Sequence, residues 1–324
     1  MEQEKSSGQG YPKKLKRFQI LSLDGGGIKG LFSAAILAYL EEDLKIKVID
    51  HFDLIVGTST GGLIALGLGA GMSPREIVEF YVNLGPEIFP PNPLRNIKQF
   101  VRPKFAASPL EKTLKTFFGE KRLADSEKRL VIPSYNIGED HVFLFKTPHH
   151  ERLKRDWKTP LWKVGMATSA APTYFSSFQK LDHIRLIDGG VWANNPTMIG
   201  IVEAVSLLNQ PKSSLMVFSL GTTNEIRGRP KKLDCGGKWQ WRRDAVEVIL
   251  RGQSVGTHTQ AVHLIGEERI YRLDPPVPDG LFRMDKLSES ELISKAAHVS
   301  RHFSPKFTSV FATHHALTYK PIYN

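Results

Sequence analysis

The chain has 324 residues with 41% hydrophobic and 24% charged residues, a globular balance that excludes a mainly disordered protein. Its 44 Lys and Arg outnumber 33 Asp and Glu for a formal net charge of +11, which favours anionic partners such as nucleic acid, nucleotides or acidic lipid and also serves plain solubility. One cysteine, Cys235, excludes an intrachain disulfide and a multi-cysteine zinc site. The length suits one large α/β domain or two ordinary ones, and no solenoid or propeller period is visible.

Residues 1–17 read as a polar leader, and Met1 to Gly10 lacks the apolar core of a signal peptide. Basic residues cluster at Lys13, Lys14, Lys16 and Arg17 and again around Arg227 to Lys232. No nucleic-acid-binding module accompanies them, so no nucleic-acid polymer is expected as a partner. Phe18 to Leu23 reads as a buried strand. It runs into the glycine segment Asp24-Gly25-Gly26-Gly27-Ile28-Lys29-Gly30, and a helix follows with Leu31, Ala34, Ala35, Leu37, Ala38 and Leu40 on its apolar face. Phe52 to Val56 is the next strand, entering Gly57-Thr58-Ser59-Thr60-Gly61 and then a buried helix, Gly62 to Leu68. The near-uncharged stretch Leu54 to Met72 holds six glycines, so it reads as strand, turn and helix. A membrane span needs about 20 mostly apolar residues.

Ser73-Pro74-Arg75-Glu76 has the form of a helix N-terminus, with Ser73 as cap and Glu76 closing a capping box. Six prolines between Pro86 and Pro109 argue against regular structure there, leaving either a mobile flap over a site or a surface loop. Leu130 to Pro133 and Val142 to Phe145 read as short strands paired at a sheet edge. A helix from Leu161 to Ala170, a strand from Ile184 to Ile187, a helix from Thr197 to Leu208 and a strand from Leu215 to Leu220 then alternate. That alternation implies a mostly parallel sheet with helices on both faces. Beyond Gly221 come a Gly- and Lys-rich loop, a helix from Arg243 to Ile265, a strand from Glu268 to Leu273 and a helix from Ser288 to Val299. No linker is evident, so residues 18–324 are expected as one domain, with its motifs in 18–222 and an elaboration in 223–324. A cytoplasmic protein without an integral membrane segment is expected.

Gly57 to Gly61 is G-x-S-x-G, the pattern that sets a serine on a sharp strand-to-helix turn. Glycines two residues to either side relieve crowding, and the helix start behind Ser59 adds a favourable dipole. A serine hydroxyl also needs a base. His258, His263, His298, His302, His314 and His315 follow the expected strands, but none sits in a glycine-punctuated turn. Asp188 does: it ends a strand and precedes Gly189-Gly190, at the carboxyl edge where sites gather in open parallel sheets. There it either takes the proton of Ser59 or caps the turn through its backbone. Gly25, Gly26 and Gly27 offer backbone N–H groups to a developing oxyanion. The segment matches neither G-x-G-x-x-G in register nor a P-loop. No metal is expected, because neither a histidine pair at helical spacing nor a clustered carboxylate motif is counted.

At these residues the chain resembles the patatin-like phospholipases, a family of lipid acyl hydrolases. Their D-G-G-G-x-[R/K]-G motif matches Asp24 to Gly30, G-x-S-x-G matches Gly57 to Gly61, and D-G-[G/A] matches Asp188-Gly189-Gly190. Val191 to Pro196, Ala167 to Phe175 and Ser219 to Thr222 are similar to further family segments, so the likeness covers about residues 18–222 in order. It implies a three-layer α/β/α fold with a mostly parallel central sheet, and a Ser59–Asp188 dyad without histidine. It further implies an oxyanion hole at Gly25 to Gly27, membrane phospholipid as substrate and no cofactor. Asp24, Lys29, Gly30, Gly57, Gly61, Gly189 and Gly190 are the supporting motif positions. Lys29 departs from the more frequent Arg, which keeps the charge and loses the planar fork. Short bacterial members resemble effectors of cyclic-oligonucleotide antiphage signalling. That implies a cyclic dinucleotide activator and work at the inner membrane surface. A constitutive esterase or lipase, a catalytically silent lipid-binding module and a homo-oligomer all stay open.

Overall fold

The computed structural model describes residues 17–88, 103–226, 228, 231–237, 241, 244–278 and 289–324. Its strands are β1 (Phe18–Leu23), β2 (Leu54–Gly57), β3 (Arg129–Asn136), β4 (His141–Lys146), β5 (Leu186–Asp188), β6 (Leu215–Leu220), β7 (Asn224–Ile226), β8 (Ile270–Leu273) and β9 (Pro276–Pro278). Seven of them form one sheet in the order β4-β3-β2-β1-β6-β8, with β5 also paired to β3; β7 and β9 make a separate pair. The contacts β3–β2, β2–β1, β1–β6 and β6–β8 are all parallel, whereas β4 and β5 run antiparallel to β3.

Central parallel strands are covered on both faces, so their sequences are mostly apolar and successive residues feed opposite cores. Leu21, Leu23, Ile55, Ile132, Phe218 and Leu220 enter one core. Ile20, Leu54, Val56, Val131 and Val217 enter the other. The first core is closed by α1 (Gly30–Leu44), α2 (Thr60–Gly69), α3 (Pro74–Ile88), α4 (Ala107–Phe118), α5 (Leu161–Thr168) and α9 (Glu289–Val310). A short α6 (Gly190–Ala193) precedes α7 (Thr197–Val202), which continues as a π-helical turn, Glu203–Leu207. With α8 (Asp244–Ile265), α7 closes the second core. The expected three-layer α/β/α architecture is present. Among the described residues no helix is long and apolar enough to cross a membrane.

The capping box at α3 is reciprocal: Glu76 N–H donates to Ser73 Oγ at 3.2 Å and Ser73 N–H donates to Glu76 Oε2 at 2.7 Å. The proline-rich stretch departs from expectation at both ends. Helix α3 continues through Pro86 to Ile88, and α4 starts at Ala107 with Pro109 in its first turn, where a missing N–H is harmless. Phe105 is buried, and Lys104 and Phe105 donate backbone N–H groups to Thr173 and Tyr174, so this end is fastened. Residues 89–102, the remainder of the expected flap, lie outside the described residues, as do residues 1–16 of the leader. Residues 227, 229 and 230 of the second basic cluster lie outside them too. Arg17 already reaches α9, donating to the Val310 carbonyl at 2.5 Å and to Thr313 Oγ1 at 3.1 Å.

The late helix also outruns its expected end at Val299, continuing through Pro305 to Val310. An interior proline costs a helix about 3 kcal/mol. Here Phe303, Phe307 and Phe311 recur every fourth residue and pack their rings on Phe218 of β6, with centroids 5.1, 5.7 and 5.3 Å away. The apolar stripe outweighs the break. Since Phe218 is fully buried among these rings, Phe218→Ala should destabilise the protein by about 3–5 kcal/mol. A fall in the denaturation midpoint, followed by circular dichroism, measures it; an unchanged midpoint contradicts the packing role.

Candidate active site

Strand β3 is the organiser of the site. Its Arg129–Val131 segment pairs with Leu54–Val56 of β2, and its Ser134–Asn136 segment pairs with β5, Asp188 opposite Ser134. Strand β4 fills the other edge of β3 from Val131 to Asn136. Hence β2 and β5 enter the same slot from opposite ends, with their carboxyl ends facing. From Val131 to Ser134 the gap is about 10 Å at 3.3 Å per residue. Asp188 was expected at the end of a parallel strand; its strand is antiparallel. A parallel return is usually carried by a helix that takes the chain back to the starting edge. Helix α5 ends at Thr168, already beside Ser59, and no helix intervenes before Leu186.

Ser59 turns the chain within that gap. Its φ of 54° and ψ of −120° are unfavourable for a residue with a side chain, a strain of about 1–3 kcal/mol. The flanking glycines permit the turn by close approach: a Cβ at Gly57 would lie 2.2 Å from the Gly61 carbonyl oxygen, and one at Gly61 would lie 2.2 Å from that of Leu23. The turn is then locked. Ser59 N–H donates to Thr168 Oγ1 at 2.9 Å, and that hydroxyl donates to the Pro133 carbonyl at 2.7 Å. Thr58 Oγ1 donates to the Ala193 carbonyl at 2.6 Å. Behind the serine, the Thr60 and Tyr81 hydroxyls meet at 2.5 Å, tying the start of α2 to α3.

Ser59 Oγ donates to Asp188 Oδ2 at 2.5 Å, and Gly190 N–H donates to Asp188 Oδ1 at 2.7 Å. Burial pushes the Asp188 carboxyl from 3.8 up to about 6, opposed only by those two hydrogen bonds. Asp188 is buried whereas Ser59 is partly exposed, so reactants reach the hydroxyl and not the carboxylate. Among the described residues no histidine hydrogen-bonds either side chain. His314, one of the late candidates, pairs with Asp53 Oδ2 at 2.7 Å instead. His298 and His302 do form a histidine pair at helical spacing, contrary to expectation, with ring centroids 4.5 Å apart on α9. No third His, Cys, Asp or Glu joins them among the described residues.

The glycine segment leaves β1 beside this pair, a Cβ at Gly25 falling 3.4 Å from that of Ser59. Of the three expected oxyanion donors, Gly25 already donates its N–H to the Asn194 carbonyl at 2.9 Å. The N–H groups of Gly26 and Gly27, at the start of the 3₁₀ turn Gly27–Lys29, donate to no acceptor among the described residues. Lys29 closes that turn and Gly30 opens α1. Asp24 is buried and bonded to Arg272, Nη2 to Oδ2 at 2.6 Å and Nη1 to Oδ1 at 3.3 Å. Burial raises its carboxyl to about 6 even against that guanidinium. Thr168, Asn194 and Thr222 lie in the family-like segments of the sequence without a role attached. Arg272 falls in the expected last strand with no motif around it.

A family model of patatin-like phospholipases matches residues 21–201. A cGAMP-activated phospholipase of Escherichia coli (strain TW11681) is 38% identical over 64% of this chain, an alignment spanning 63% of that relative. One of Pseudomonas aeruginosa is 31% identical over 81% of this chain and 80% of the relative. Among solved structures, VipD from Legionella pneumophila aligns over 92% of this chain and 77% of its own, with 13% identity and a TM-score of 0.35.

A Cβ at Gly26 would lie 2.1 Å from Thr222 Oγ1, so Gly26→Ala must displace the loop. Loss of one oxyanion-type donor slows reaction about 10²–10³-fold. Labelling of Ser59 by a serine-directed fluorophosphonate should slow by that order while the thermal melt barely moves. Wild-type labelling by Gly26→Ala would remove the loop from the reaction.

Proposed function

Because the chain belongs to the patatin-like phospholipase family, we propose that it hydrolyses the acyl ester of a glycerophospholipid through Ser59 and Asp188. The observation that carries this is the 2.5 Å contact between Ser59 Oγ and a buried carboxylate, with a glycine loop alongside. Ser59 Oγ attacks the ester carbonyl carbon as its proton passes to Asp188 Oδ2. The N–H groups of Gly26 and Gly27 receive the oxyanion of the tetrahedral intermediate. Asp188 returns the proton to the departing alkoxide, releasing lysophospholipid and leaving an acyl-serine. Water then attacks the acyl carbon, giving its proton to Asp188, which restores it to Ser59 Oγ as fatty acid departs. Placing the Asp188 carboxyl at about 6 suits the exchange, because a base acts best when its pKa approaches working pH.

Regulation belongs to the same proposal. Relatives named cGAMP-activated phospholipase at 31–38% identity support a cyclic dinucleotide as the switch that starts hydrolysis; the antiviral role in this proposal rests on the likeness to antiphage effectors. A net charge of +11 suits both an anionic nucleotide and an anionic bilayer. The protein then works peripherally at the inner membrane surface, with the bilayer as its substrate.

Ser59→Ala and Asp188→Asn should each reduce fatty-acid release from phospholipid vesicles about 10³-fold or more. Full activity in either variant defeats the dyad. Since Asp188 must be ionised to take the proton, kcat should fall as pH drops through about 6. A pH–rate profile reads that limb, and a flat profile from pH 5 to 8 contradicts the assignment. Wild-type protein should release little fatty acid until a cyclic dinucleotide is added. Rates indifferent to a panel of such nucleotides favour a constitutive lipase.

A further inference from the structure

We propose that Arg272 is a positioning residue for the reaction: it grips Asp24 so that the Gly25–Gly27 backbone keeps its place beside Ser59. The proposal rests on the Ser59 chemistry above and extends it to residues beyond the family match, which ends at residue 201. Strand register sets the geometry. Arg272 of β8 lies opposite Ser219 of β6, and Ser219 lies opposite Ser22 of β1. From there the guanidinium spans β6 and meets the first residue past the end of β1. It donates to both Asp24 oxygens at 2.6 and 3.3 Å, to Ser219 Oγ at 2.8 Å, to Asp274 Oδ2 at 2.9 Å and to Ser254 Oγ at 3.3 Å.

Three consecutive glycines carry no side chain, so Asp24 is the side-chain tether at the front of this loop. The backbone adds Asp24 N–H to Leu220 O at 2.9 Å and Gly25 N–H to Asn194 O at 2.9 Å. Those bonds fix where the loop begins. The carboxylate fixes how it turns. Its side chain is 4% exposed and that of Arg272 is 12% exposed, so Arg272 is the cation that lets a buried carboxylate stay in place. Asp274 shares the same guanidinium and is 16% exposed. Without Arg272 two neighbouring carboxylates lose their counter-charge, and Asp24 must protonate or swing out, turning Gly25 to Gly27 with it. A lysine keeps one positive charge but not the fork that spans Asp24, Asp274 and Ser219.

The test compares wild type with Arg272→Gln, Arg272→Lys and the Asp24→Asn/Arg272→Gln pair on a short soluble ester. Rates are normalised to sites titrated by a fluorophosphonate. The expected result is kcat per titrated site down about 10²-fold in Arg272→Gln with KM within about twofold, the loss of oriented donors. Partial recovery is expected in Arg272→Lys, and no further loss in the double variant, since the two residues act as a unit. A purely structural role would lower the titrated fraction and the melting temperature yet leave kcat per site unchanged, and that result overturns the proposal. Should Arg272→Gln fail to fold, Arg272→Lys decides alone, and wild-type kcat per site in it is equally fatal. If Ser59→Ala stays active, the dyad has failed; if Ser59→Ala is dead and Arg272→Gln is normal per site, only the role of Arg272 has.

Discussion

Two strands share one slot along the edge of β3, and the site is what happens where they meet. Strand β2 arrives from one end and stops at Gly57; β5 arrives from the other and stops at Asp188. Between their pairing positions, Val131 and Ser134, the Ile132–Pro133 stretch of this edge is taken by neither strand. The chain leaving β2 must turn sharply out of the sheet plane, which forces Ser59 into its φ of 54°. The carboxylate ending β5 is aimed into the gap just vacated. Strain at the serine and burial at the aspartate therefore have one cause. Thr168, bonded at once to Ser59 N–H and to Pro133 O, ties the turn back to the strand that created it.

The same fold gives two aspartates a similar displacement and opposite capacities. Burial raises both Asp24 and Asp188 to about 6. Asp24 faces a guanidinium that engages both its oxygens, so a proton arriving there must break an ion pair. Asp188 faces only a hydroxyl and one backbone N–H, so a proton arriving there meets no cation. What separates the proposed tether from the proposed base is therefore the neighbour, not the depth of burial.

Much of this was legible in the sequence because it depends on local patterns. Mostly apolar runs mark β1 and β6, and the glycines of Gly57-Thr58-Ser59-Thr60-Gly61 mark a place where backbones touch. What escaped depends on where the chain travels between elements. The direction of β5 follows from the missing return helix after Thr168, and alternation of helix and strand does not reveal that. The length of α9 follows from Phe218, some eighty residues earlier in the chain, which supplies the surface that carries the helix past Pro305. Arg272 was invisible because an arginine in a short strand is ordinary until the register sets it across from Ser219 and Ser22, within side-chain reach of Asp24. Commitment of the Gly25 N–H to Asn194 is likewise a matter of three-dimensional accounting.

A direct serine–aspartate pair sets a narrower electrostatic condition than a triad does. With an imidazole between them, the carboxylate remains ionised and orients the base. Without one, the carboxylate itself must bind a proton, which an ordinary solvated aspartate near 3.8 does poorly at neutral pH. Burial lifts Asp188, and each hydrogen bond to its ionised form pulls it down again. Two such bonds leave it at about 6; a third donor, or a nearby cation like the one on Asp24, would lower it further and weaken it as the proposed base. The opposed strands meet this condition structurally: β3 occupies the flank of β5, Gly190 caps one oxygen, and the other is left to Ser59 alone. Arg272 is committed to Asp24, Asp274, Ser219 and Ser254, so among the described residues the Asp188 carboxylate keeps only its Ser59 and Gly190 donors and meets no cation.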